Sequence, residues 1–61
     1  MKEGYTVVYR VGNDKTLYRI YKMNRDDTCD ILSITSSVPR PVSLSQLREA
    51  DDTEMLIGYR M

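Results

Sequence analysis

The sequence predicts a small α+β domain, an antiparallel sheet with one short helix on one face, in the order β-β-β-α-β. Alternating β-branched and aromatic stretches lie between clusters of Gly, Asn and Asp, which is the pattern of hairpin strands. Further along, two prolines precede a single segment that carries the start signals of a helix.

Tyr5 to Val11 places Tyr5, Val7, Tyr9 and Val11 on one face and Thr6, Val8 and Arg10 on the other, so it reads as the first strand. Gly12-Asn13-Asp14-Lys15 supplies residues that tolerate positive φ and an Asp suited to an Asx turn, and the chain should return antiparallel through Thr16 to Met23. In that second strand strict alternation sets Tyr18, Ile20 and Lys22 against Leu17, Arg19, Tyr21 and Met23. Asn24-Arg25-Asp26-Asp27 repeats the turn chemistry. It leads to a third strand over Cys29 to Ser36, where Ile31, Leu32 and Ile34 sit among Ser and Thr in a composition suited to a sheet edge.

Val38-Pro39-Arg40-Pro41 is an extended connector, because each proline lacks an N–H and disfavours the helical region in the residue before it. Ser43 then stands as a helix cap, Gln46 completes a capping box and Val42 can staple onto Leu47. These signals predict a helix from Leu44 to about Asp51. Thr53 to Met61 resumes alternation, with Met55, Ile57, Tyr59 and Met61 on one side, and is expected to form the last strand. A small, strongly bent SH3-like β-barrel, its helix reduced to a turn or two, is the competing architecture; the open sheet is preferred.

No linker, repeat or composition break divides residues 1–61, so a single small domain is expected. Hydrophobic residues at 41% and charged residues at 30% place it among globular and not disordered chains. With 61 residues, burial and chain ordering each come to roughly 90 kcal/mol and nearly cancel. One cysteine excludes an internal disulfide, which leaves a partner or self-association as the expected source of extra stability. No apolar run reaches the ~18 residues of a membrane span, and the first ten residues hold no apolar core of a secretion signal. A cytoplasmic protein without membrane attachment is therefore expected.

Catalytic chemistry has little to work with. The chain has no His, the commonest general base, triad member and zinc ligand, and one Cys cannot build a structural zinc site. Asp26, Asp27 and Asp30 lack the ligand spacing of a calcium loop, and Gly4, Gly12 and Gly58 are isolated and form no phosphate loop. Acidic neighbours at Asp27 and Asp30 work against a reactive Cys29 thiolate. The reading is a non-enzyme with no metal and no cofactor. Glu49, Asp51, Asp52 and Glu54 gather at the C-terminal end of the expected helix, where its dipole disfavours acid by about 0.3–1 kcal/mol. Pairing with Arg40 or Arg60 is one simple relief.

Nine basic and nine acidic residues balance to zero, but unevenly. Up to Arg25 six bases face two acids, a net +4; beyond it three bases face seven acids, a net −4. Four of the five tyrosines, Tyr5, Tyr9, Tyr18 and Tyr21, fall in the basic hairpin. The candidate binding residues are Tyr9, Arg10, Tyr18, Arg19, Tyr21, Lys22 and Arg25. Tyrosine with arginine is the composition of protein-interface hot spots, and the same side chains could stack on bases and track the phosphates of single-stranded nucleic acid. A zero net charge offers no long-range attraction to a polyanion, so a protein partner is preferred. The expected function is a non-enzymatic protein-binding module, a small regulator or inhibitor that binds another protein or itself as a homodimer, with RNA or single-stranded DNA the less favoured ligand.

Overall fold

The computed structural model describes residues 1–33 and 35–61, so Ile34, placed in the third strand by its sequence context, lies outside the described residues. Strands β1 (Thr6–Tyr9), β2 (Tyr18–Met23), β3 (Thr28–Ser33), β4 (Arg40–Ser43) and β5 (Leu47–Glu49) form one sheet in the order β4-β3-β2-β1-β5, and helix α1 covers Asp52–Ile57. Every neighbouring pair is antiparallel. The two edge strands follow one another in the chain, joined only by a turn of 3-10 helix at Leu44–Gln46. They do not pair among the described residues, so the sheet stays open and the barrel alternative is not adopted.

The α+β class and the first three strands are as the sequence predicts, except that β1 stops at Tyr9 and leaves Val11 exposed in the connection to β2 rather than on the inward face. Asp14 closes the expected Asx turn, its Oδ1 accepting the Thr16 N–H at 3.0 Å. The third strand, however, is not an edge: the proline-flanked connector continues into β4, which pairs along it from Thr28↔Ser43 to Ile31↔Arg40. Pro41 is tolerated there because an edge strand leaves one side of its backbone unpaired.

The last third reverses the expected helix and strand. Ser43 does act as a cap, but its Oγ accepts from Ser45 at 3.4 Å and the turn ends after three residues. Leu47 leaves it in extended conformation because β1 has a free edge: Tyr9↔Leu47, Val8↔Arg48 and Val7↔Glu49 pair, flanked by Arg10 N–H to Gln46 and Ala50 N–H to Thr6. A complete strand ladder outweighs a capping signal worth ~1 kcal/mol. The helix begins instead at Asp51. The Asp51 side chain accepts from the Glu54 N–H at 2.8 Å, the Glu54 carboxylate accepts from the Asp51 N–H at 3.1 Å, and Gly58 at φ 87° closes the end. Of the acids that seemed misplaced, Asp51, Asp52 and Glu54 thus stand at a helix N-terminus, where the dipole favours them, while Glu49 ends β5.

The core draws on four strands: Val7 of β1, Ile20 of β2, Cys29 and Ile31 of β3, and Leu47 of β5, all at most 1% exposed. Tyr5, Tyr9, Tyr18, Met23, Val42 and Leu44 pack around it. Val8 is also fully buried, but on the opposite face, the side from which Arg48 reaches α1.

Candidate functional site

A bulge decides which side chains of β2 share a face. Pairing runs Ile20↔Ile31 and then Lys22↔Asp30, so Tyr21 is an extra residue without an opposite number. Before it Tyr18 and Ile20 face the core; after it the core position falls to Met23, opposite buried Cys29, and Lys22 turns outward. The strict alternation expected from sequence, with Lys22 beside Ile20 and Met23 beside Arg19, is corrected by this one residue.

The seven candidate residues therefore divide. Tyr9 and Tyr18 belong to the core face, their rings edge to face at 5.6 Å and 82°. Arg40 of β4 donates to the Tyr9 hydroxyl at 2.7 Å and to the Tyr18 hydroxyl at 3.1 Å, while Tyr18 donates to Asp14 at 2.5 Å. The guanidinium sits at the hydroxyl ends of the rings, so these hydrogen bonds, more than attraction to the ring faces, hold it. The bond from Tyr18 keeps the Asp14 carboxyl below the usual carboxylate range. Partial burial, and then the carboxylate beside it, raises the Tyr18 phenol. The two rings are thus tied into a polar cluster that links the β1–β2 connection to the far edge of the sheet.

Arg19, Tyr21 and Lys22 form the outward side of β2, with Tyr21 59% exposed. Arg19 stands between two shallow grooves. One, of about 350 Å³, is lined by Glu3, Gly4, Ile20, Tyr21, Leu32 and Ser33 beside it. The other, of about 320 Å³, runs between Thr6, Leu17 and Tyr18 on the sheet and Met55 and Gly58 at α1. Arg10 lies apart, at a groove with Val11, Ser45 and Gln46, and Arg25 is exposed in the β2–β3 turn. Three of the seven residues form one surface; Tyr18 reaches it only as a wall of the groove beside Arg19, and Tyr9, Arg10 and Arg25 do not join it.

Two arginines absent from the candidate set hold α1 and the C-terminal segment against the sheet. Arg48 makes a two-pronged ion pair with the fully buried Glu54 at 2.6 and 2.7 Å, and Glu54 also accepts from the backbone N–H groups of Asp51 and Met61. Those donors, the guanidinium first, lower the Glu54 carboxyl to about 2. Arg60, almost buried, donates to the carbonyls of Tyr9 and Gly12, and its own N–H bonds to Lys15. Neither Arg40 nor Arg60 is the partner of Glu54. Burial pushes the Cys29 thiol up, the opposite of what a nucleophile needs.

Comparison with protein families, with characterised proteins and with solved structures returns no match. The functional reading rests on the chain's own surface.

Proposed function

We propose that the chain works by binding another protein, as a small regulator or inhibitor, through the outward side of β2. The observation that carries this reading is Arg19, standing as a ridge between two grooves whose walls include Tyr21, Leu32, Leu17 and Met55. A guanidinium flanked by apolar and aromatic walls is the make-up of an interface hot spot. Among the described residues no helix is long and apolar enough to cross a membrane, and the buried thiol of Cys29 suits a reducing compartment such as the cytoplasm. Nucleic acid is the weaker reading, because single-strand binding calls for successive free rings and Tyr9 and Tyr18 are engaged with Arg40.

Affinity capture with the intact chain and with Arg19→Ala and Tyr21→Ala variants tests it. Each substitution should cost about 2 kcal/mol of partner affinity, enough to lose capture, and both residues are exposed, so folding should be unaffected. Tight oligonucleotide binding that weakens steeply with salt would favour the nucleic-acid reading instead.

A further inference from the structure

We propose that the partner of the β2 surface brings a carboxylate to Arg19, an acidic side chain set between apolar neighbours on a peptide segment of another protein; this rests on the reading of that surface as a protein interface. Arg19 is exposed and lines both grooves beside it. Its cross-strand neighbours on the outward side, Thr6 of β1 and Leu32 of β3, carry no charge. Arg40 and Arg48 have carboxylate partners within the fold and Arg60 has two backbone carbonyls, but neither Arg19 nor Lys22 forms an ion pair among the described residues. The acid that lines the groove and the acid opposite Lys22 are engaged elsewhere: Glu3 accepts from the Met23 N–H at 3.2 Å, and Asp30 accepts from the Asn24 side-chain amide at 3.4 Å. A protein that covers this surface takes the Arg19 guanidinium out of water, and a buried charge is tolerated only with a hydrogen-bonding partner of opposite sign. The chain supplies none, so the partner must. The planar fork of the guanidinium matches one carboxylate with two parallel hydrogen bonds, and Tyr21 and Leu32 on the groove wall take the apolar neighbours. A nucleic-acid backbone fits less well. Its successive phosphates call for successive cations, whereas here Glu3 stands on the groove wall and Asp30 opposite Lys22.

Selection of displayed random peptides against the immobilised full chain supplies the probe. The enriched peptides should carry Asp or Glu beside Leu, Ile, Val or Phe, and a synthetic copy of one should shift the backbone amide resonances of Arg19, Tyr21 and Leu32. Exchanging its acid for the amide should weaken binding to the wild-type chain about tenfold or more and change binding to Arg19→Gln hardly at all, a coupling that no loss of fold would produce. Peptides that enrich without an acid and still shift those amides overturn the carboxylate while leaving the surface a protein interface. Acidic peptides whose shifts fall instead at Arg10 or Arg25 overturn the site. An oligothymidylate that binds this side more tightly than any selected peptide overturns the proposal in favour of phosphate, and repeated selections that return nothing for this side overturn the interface reading with it.

Discussion

Among the described residues Glu54 is the one carboxylate with no exposure at all, and Arg48 and the backbone N–H groups of Asp51 and Met61 all converge on it. Its folded-state carboxyl near 2 lies below the ordinary 4.5, so its ionisation favours the folded chain. That contribution is complete above about pH 4.5 and is lost as pH falls toward 2. Glu54→Gln should therefore lower Tm at neutral pH and flatten the decline of Tm across that acid window. The decline that remains belongs to Asp14 and Asp26, whose carboxyls are held low by hydrogen bonds from Tyr18 and Thr28 respectively. In the aromatic cluster, Tyr18→Phe keeps the ring but removes the hydroxyl that joins Asp14 to Arg40. Denaturant unfolding should show a loss of about 1 kcal/mol.

Each of two segments carries a helix signature, and only one becomes an α-helix. Ser43 with Gln46 and Asp51 with Glu54 are both capping boxes in sequence, but the first runs straight into Leu47, which β1 claims for the sheet. Apolar alternation at Met55, Ile57, Tyr59 and Met61 masked the second, although Met55 and Ile57 belong to α1 and Tyr59 makes only an isolated bridge to Thr16. The signal that could have found it was present in the misplaced acids: a cluster that offends one helix end fits the start of another. Asp51→Ala should cost about 1 kcal/mol through the lost cap, whereas Ser43→Ala should cost a few tenths, its turn being held by the strands on either side. Paired thermal melts separate the two outcomes, and equal losses would mean the turn at Ser43 carries helix-like weight.

At the scale of the molecule, stability rests on a small core, five clustered buried side chains among the described residues with Val8 buried on the opposite face. For 61 residues a stability of about 3–9 kcal/mol is ordinary, and truncating a buried leucine costs about 2–5. Leu47→Ala should leave the chain partly unfolded at room temperature, measured as a lowered midpoint or loss of the cooperative denaturant transition, because it leaves a cavity in the core and removes the one fully buried side chain that anchors β5 beside β1.

The hairpin, its Asx turn and the inward set Tyr5, Val7 and Tyr9 were legible in residue order, since period-two alternation and turn chemistry act between near neighbours. So was the hairpin's richness in Tyr and Arg, though not how it divides. The bulge at Tyr21, which separates Arg19 and Lys22 from Tyr18 and Met23, arises from pairing with a strand that follows it in the chain. The same holds for β5, drawn from a helix signal by an edge nearly 40 residues earlier, and for Arg48, whose ion pair with Glu54 depends on that strand. Signals worth ~1 kcal/mol locally give way where backbone groups at distant positions must all find partners at once.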